Sequence, residues 1–447
     1  MDQQQGASQF PVEEIKSELS DWRRWAARAV VMSFAVLAGL GVVLMTWLSE
    51  HALSLFFVIT AYSPWLALAW TPAVTAAIVW LTRKYFVGAS GSGIPQVLAA
   101  LDTSTPPQGR HHFISLRLSL AKLVLTVGGL LAGLSTGREG PSVQVGAGIM
   151  HHARKWLPAR SSVGDHGLIV AGGAAGIAAA FNTPLGGVMF AIEELSRRPE
   201  HRSSGILIAG IVLSGLMAIS IYGNGSYFGH IQVASVSLAE LLPGLAIALS
   251  TGVLGGLFSK LMIESTRGGK DIFSRWRASY PIRFAAGCGF VIALIGIISQ
   301  GATFGSGYTA TKQLLDGQDP TGGFYVTLRF LATWLSQWSG VPGGVFAPSL
   351  AIGAGIGNDI SQWTHHANSP ALIALGMAGF LAAATQAPIT AFIIVMEMVE
   401  GHSLVLSLMA CAMVASAVSR LISPPMYGVM AELQLARVKG LSRSPTD

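Results

Sequence analysis

Charge is what this chain has least of. Only 11% of its 447 residues are Asp, Glu, Lys or Arg, while 51% are hydrophobic; a soluble domain carries about 25% charged residues. With a mean hydropathy of +0.54, that balance excludes an ordinary water-soluble fold. Cysteine is almost missing too. Cys288 and Cys411 lie inside apolar runs and read as small core residues, so no disulfide framework is implied. No H-E-x-x-H occurs, and the histidine pairs 111–112, 151–152 and 365–366 are adjacent in sequence, which points their rings to different helix faces beside surface loops. No metal site is expected. Gly133-Leu-Ser135-Thr-Gly137 fits G-x-S-x-G, but a nucleophile elbow needs a strand–turn–helix setting and a His–acid pair, and these surroundings read as helical and glycine-rich. An enzyme is not expected. Glu13, Glu14, Glu18 and Asp21 precede any apolar run, which is not the pattern of a signal peptide.

What is present is apolar length. Ala29–Ser49, Leu241–Ser259, Phe284–Thr311, Phe330–Asn358 and Ser403–Ser419 carry no charge, and ~20 helical residues cross a bilayer. The 53 glycines are spread through such segments, which suits close helix packing and broken helices better than simple long spans. The chain reads as an all-α polytopic membrane protein. Its net charge of +6, from 28 basic and 22 acidic residues, is read through its placement as topology, not as nucleic-acid binding.

The sequence repeats itself. Gly137-Arg-Glu-Gly-Pro-Ser-Val-Gln-Val-Gly-Ala-Gly-Ile149 matches Gly344-Val-Phe-Ala-Pro-Ser-Leu-Ala-Ile-Gly-Ala-Gly-Ile356, an offset of 344 − 137 = 207. A second block, Gly172 to Glu193 with Pro184, matches Gly376 to Glu397 with Pro388, an offset of 388 − 184 = 204. Two ordered blocks at nearly one spacing argue against chance similarity among Gly/Ala-rich segments. We divide the chain into an interfacial N-terminal segment (1–28), a first half (29–225), a second half with a final helix (226–436) and a tail (437–447). Lys16, Arg23, Arg24 and Arg28 precede the first half and are expected in the cytoplasm. The linker Tyr222–Leu238 has no Lys or Arg and is expected outside. Arg267, Lys270, Arg275, Arg277 and Arg283, then Arg437, Lys439 and Arg443, return to the cytoplasm. The halves therefore enter from opposite sides, as in the inverted repeats of transporters, whose substrates sit near the midplane between discontinuous helices.

The candidate breaks are the two matched Gly/Pro motifs. Proline suits the first turn of a helix and glycine admits close approach, so a helix is expected from about Pro141 with its free N–H groups aimed at something negative. Helix N-termini converging from both halves imply an anionic substrate. Glu139 is either that negative group, a competitor for its place, or half of a structural Glu139–Arg138 pair. Two further features stand out: Gly91-Ser92-Gly93-Ile94-Pro95, a glycine break carrying a hydroxyl, and Tyr427 after Pro424-Pro-Met.

At these residues the sequence resembles the CLC family of chloride channels and proton-coupled chloride antiporters. The set GSGIP (91–95), GREGP (137–141), GGVFAP (343–348) and the late tyrosine is ordered along the chain and covers about residues 29 to 436. The resemblance implies that chloride is held by the Ser92 and Tyr427 hydroxyls and the backbone N–H groups of Val345 and Phe346, with no full positive charge on the ion. It implies that Glu139 is a protonatable gate occupying an anion position, with Arg138 structural. Glu194 matches the internal proton-transfer glutamate of the antiporters, where many channels have an apolar residue; Glu193 is then a neighbour that hydrates or orients the proton path. Without the family, both would read as an ordinary helix end. Glu397 is the counterpart of Glu193, with no role assigned. Lys122 either raises the local potential or satisfies buried carbonyls.

The resemblance thus implies a chloride/proton antiporter in the inner (plasma) membrane, both termini cytoplasmic, working on chloride and protons without a cofactor. A passive voltage- or pH-gated chloride channel is the alternative. A fluoride exporter is disfavoured by Ser92, where such members carry methionine. Gln96 replaces an acidic residue common in the family, a change that bears on the intracellular vestibule. The short stretch after Tyr427 leaves no room for nucleotide-binding CBS domains, as in bacterial members. A homodimer with one ion path per subunit is implied by the family and supported by Gly252-x-x-x-Gly256. Val12–Arg28, with Trp22 and Trp25, either lies along the interface or is a poorly ordered leader.

Overall fold

The computed structural model describes residues 22–159, 161, 163–196, 204–223, 225–229, 240–318, 322–365 and 369–441. The acidic leader (Glu13, Glu14, Glu18, Asp21), most of the expected linker, His366 and Arg443 lie outside the described residues. The first half contains α1 (Trp22–Tyr62), α2 (Ala67–Tyr85), α3 (Ile94–Leu101), α4 (Leu116–Leu131), α5 (Glu139–His152), α6 (Asp165–Phe181), α7 (Pro184–Phe190) and α8 (Ser204–Tyr222). The second contains α9 (Leu241–Arg267), α10 (Ile272–Ser279), α11 (Pro281–Ile298), α12 (Tyr308–Leu315), α13 (Tyr325–Trp338), α14 (Phe346–Trp363), α15 (Ser369–Thr385), α16 (Pro388–Met398), α17 (Val405–Arg420) and α18 (Met426–Leu441). Apart from one β-bridge, regular structure among the described residues is helical.

Long and short helices divide the work. Among the described residues, seven segments, centred on α1, α2, α4, α8, α9, α11 and α17, are long and apolar enough to cross a membrane. The shorter α5, α6, α14 and α15 are buried on nearly every side. Small residues make that burial possible. A Cβ on Gly146 would overlap the Gly172 carbonyl where α5 crosses α6, and a Cβ on Gly353 would overlap the Gly376 carbonyl where α14 crosses α15. The two crossings are built from equivalent glycines of the two halves.

The repeat read in the sequence is a repeat of structure. Helices α5 and α14 start 207 residues apart, at Glu139 and Phe346, and α7 and α16 start 204 apart, at Pro184 and Pro388. The helix expected from about Pro141 starts two residues earlier, at Glu139. Equivalent parts open to opposite sides. The Gly91–Gly93 loop lines a cavity shared with Arg83 and Arg267, at the C-terminal ends of α2 and α9. The equivalent Gly305–Gly307 loop adjoins a second cavity at the far ends of the membrane-crossing helices α1 and α11. That is an inverted repeat, and the breaks of both halves meet between the cavities.

Candidate functional site

The two halves touch backbone to backbone at the glycines that open the repeated motif. Gly137 N–H donates to the Gly344 carbonyl at 2.8 Å, and Gly344 N–H returns a bond to Gly137 at 2.7 Å. This antiparallel bridge sets the N-termini of α5 and α14 face to face, with Pro141 and Pro348 in their first turns. Unpaired N–H groups and the positive ends of two helix dipoles therefore converge on one point. Glu139 occupies it. Its side chain is fully buried, one oxygen accepts from the Ala347 N–H at 3.4 Å, and the other has no protein partner. The structural pair of Glu139 with Arg138 does not form. Arg138 turns to Glu50 (3.2 Å) and the Tyr227 hydroxyl (3.5 Å) instead.

Ser92, Val345 and Tyr427 come together on one side of this point, lining a cavity of about 520 Å³. Positive φ at Gly91 (73°) and Gly93 (112°) turns the chain into α3 and brings Ser92 against Gly140, where a Cβ would overlap the serine hydroxyl. Glycine is required at 93 for its backbone conformation and at 140 for space. The loop is braced from behind. Buried Lys122 donates to the carbonyls of Ala89 (2.8 Å) and Gly91, Gln96 donates to Ser90, and Gln144 donates to Gly88 at 2.9 Å. Lys122 thus satisfies buried carbonyls. Tyr427, in the first turn of α18, stacks on Phe346 with ring centroids 6.2 Å apart. The Ser92 and Tyr427 hydroxyl oxygens are both buried, have no hydrogen-bond partner within 3.5 Å, and lie close enough to interact with each other. Two unused hydroxyls beside the open N-terminus of α14, with no cation in direct contact with them among the described residues, are weak donors suited to an anion that must also leave.

Glu193 and Glu194 diverge in space. They lie in a wide π-type turn, Ala191–Leu195, closed by Ser196 N–H on the Ala191 carbonyl at 2.7 Å. Such an inserted residue rotates the side chains downstream of it and often marks a functional site. Glu194 is buried and lies within electrostatic range of Tyr427, as does Glu139. Glu193 reaches the N-terminus of α16, accepting from Ile389 N–H at 3.1 Å and Thr390 N–H at 2.6 Å. Glu397 does the same for α7, accepting from Leu185 N–H at 3.2 Å and Gly186 N–H at 2.7 Å. Each half caps the other's helix with the equivalent glutamate. The repeat pairs the two residues in sequence, but no local pattern says that a cap is supplied across it.

Three other features escaped the sequence reading. Glu50 is the partner of Arg138, one unremarkable acid in a long helix. Arg329 is fully buried and donates to Thr303 O (2.8 Å) and Gly305 O (2.9 Å); its distance from Lys122, 329 − 122 = 207, was the available signal. Arg83, Arg267, Arg277 and Arg437 line the outer end of the Ser92 cavity, brought there from separate stretches of chain.

Helix N-termini from two inverted halves, meeting around a buried carboxylate and unpaired hydroxyls, define a membrane protein with an electropositive midplane site. The sequence pattern of the voltage-gated chloride channel family matches residues 73–420, and the chain belongs to that family. A crystal structure of a slow cyanobacterial Cl⁻/H⁺ antiporter is similar at 25% identity and a TM-score of 0.78, covering 93% of this chain and 99% of that one. A CLC-type fluoride/proton antiporter is similar at 21% identity and a TM-score of 0.76, covering 92% and 99%. A eukaryotic CLC transporter is similar at 20% identity and a TM-score of 0.72, covering 92% of this chain and 74% of that one. The last two likenesses are of fold.

Proposed function

We propose that the protein exchanges chloride for protons across the plasma membrane, with both termini in the cytoplasm. The observation that carries this reading is the position of Glu139, a carboxylate buried between two facing helix N-termini where an anion would sit. Protonation removes its charge and its claim on those N–H groups, so a chloride held at Ser92, Val345, Phe346 and Tyr427 takes its place. Glu194 supplies a second buried carboxylate in the wide turn, outside the lining of the Ser92 cavity. Protons then travel by Glu194 and Tyr427 to Glu139 while chloride uses the cavity. The likeness to a Cl⁻/H⁺ antiporter at 25% identity supports the same reading.

The working unit is a homodimer. Leu185, Ile192, Ile389 and Leu406 are exposed on the face where Glu193 and Glu397 are only half buried. Carboxylates at membrane depth are costly against lipid, and a second copy covers them.

The test is paired flux in liposomes loaded with chloride, under a chloride gradient and no proton gradient. Proton uptake accompanying chloride efflux, abolished in Glu194→Gln while chloride still moves, is the expected result. Chloride flux with no proton movement leaves a passive channel, and flux of neither ion removes the chloride reading altogether.

A further inference from the structure

Four arginines line a cavity that needs none of them to hold chloride. Arg83, Arg267, Arg277 and Arg437 line the 520 Å³ space together with Ser92, Val345 and Tyr427. Arg83, Arg267 and Arg437 are exposed and Arg277 is half-buried, whereas Ser92, Val345 and Tyr427 are buried, so the arginines mark its outer end. No Asp or Glu lines it among the described residues, and only Arg267 has a carboxylate partner, Glu264 at 3.2 Å. Arg277 donates to Ser265 O at 2.6 Å and Arg437 to Thr266 O at 2.7 Å, which fixes both side chains and leaves other N–H groups of each guanidinium unused. Burial, with added repulsion from Arg437 and Arg83, pulls Arg277 down to about 10. A cluster of cations held together against its own repulsion is stabilised by a multivalent anion. Guanidinium forks match phosphate oxygens in pairs, whereas chloride offers no such geometry. The volume falls in the range of small-molecule pockets, roughly 300–1,000 Å³.

We propose that this mouth is a binding site for a phosphate-bearing polyanion, which occupies the outer end and closes the path to Ser92. The phosphate belongs either to a soluble cytoplasmic compound or to an anionic lipid headgroup folded into the mouth. The blocking role rests on the chloride-transport reading above; the binding role does not.

The experiment uses inorganic pyrophosphate as the probe. Its binding to the full-length protein is measured by calorimetry in maltoside micelles free of phospholipid, and its effect on chloride flux is measured from each face in liposomes. Wild type should bind it and be blocked from the arginine face alone. Arg83→Gln and Arg437→Gln, singly and together, should weaken binding and block at least tenfold, each judged against its own unblocked flux. Gel filtration of each variant guards against misfolding, and the single Arg83→Gln, exposed at a helix end, keeps the test open if the double variant fails. Repeating the titration in nanodiscs with and without phosphatidylglycerol separates the sources: competition by the lipid in wild type identifies a headgroup, and equal affinity in both identifies a soluble phosphate. Absence of binding, or binding and block unchanged in the variants, overturns the proposal. A protein that binds pyrophosphate but moves no chloride refutes the transport reading and leaves the site standing.

Discussion

Lys122 and Arg329 are the same residue position in two inverted copies. Both are fully buried, and they sit 329 − 122 = 207 residues apart. Lys122 holds the carbonyls of Ala89 and Gly91; Arg329 holds those of Thr303 and Gly305, each just before or within a Gly-Ser-Gly turn. The turns share their backbone too, with φ of 73° and 112° at Gly91 and Gly93 and 68° and 91° at Gly305 and Gly307. A buried cation is tolerable here because it faces several carbonyl dipoles at once. Of the two serines in these turns, Ser92 lies beside the Tyr427 hydroxyl in the first cavity, so the proposed anion donors fall on one side of the repeated scaffold.

That relationship separates stability from binding. Lys122→Met and Arg329→Met each strand buried carbonyls, at about 1–3 kcal/mol per group. Both should lower the unfolding temperature in detergent, read by intrinsic fluorescence. Only Lys122→Met should also weaken chloride binding, because only its turn carries Ser92. Equal loss of chloride affinity in the two variants would show that the effect is a general loosening of the fold.

The hydroxyls themselves give a sharper test. A hydrogen bond to a charged group contributes about 1.5–3 kcal/mol, and 1.4 kcal/mol is tenfold in affinity. Ser92→Ala and Tyr427→Phe should each weaken chloride binding by about tenfold or more, measured by calorimetry, with little change in stability because neither oxygen has a protein partner to lose. Gly93→Ala should not accumulate folded protein at all, since φ of 112° and the Gly140 carbonyl both exclude a Cβ.

Much of this was legible in the sequence, and the part that was not has a common cause. Low charge, apolar runs and the repeat at 137 and 344 pointed to a polytopic inverted repeat, and the structure joins those two glycines by a pair of hydrogen bonds. Pro184 and Pro388 marked helix starts because proline carries its own local rule. Glu50, Arg329 and the arginines of the mouth carry no local rule. Their roles depend on which distant carbonyl, charge or cavity the fold sets beside them, and a charged residue reads alike in either setting. Glu193 shows the limit well. The resemblance makes it a neighbour that hydrates or orients a proton path, and the fold in addition sets its carboxylate on the N-terminus of α16, a contact no local pattern announces.

Glu139→Gln removes the charge from the meeting point of α5 and α14 while keeping the side chain's size. Chloride should then bind at least as tightly as in wild type, since a competing anion is gone. Flux should continue without proton movement and lose its dependence on pH. The check is simultaneous chloride and proton recording in liposomes between pH 4.5 and 7.5. A variant that still drives protons uphill would remove Glu139 from the coupling step.

Glu193 and Glu397 make the remaining prediction, because a cap and a proton carrier respond differently to the same change. Each carboxylate accepts two N–H groups of the other half's helix, and a charged cap contributes about 1 kcal/mol. Glutamine keeps one acceptor and loses the charge. If Glu193 acts as a cap, Glu193→Gln and Glu397→Gln should lower stability by similar amounts and shift the monomer–dimer balance together, as both sit on the same half-buried face. Proton coupling should then survive in both, in contrast to Glu194→Gln. If Glu193→Gln alone uncouples chloride from protons while Glu397→Gln does not, the symmetry is only architectural, and Glu193 belongs to the proton path.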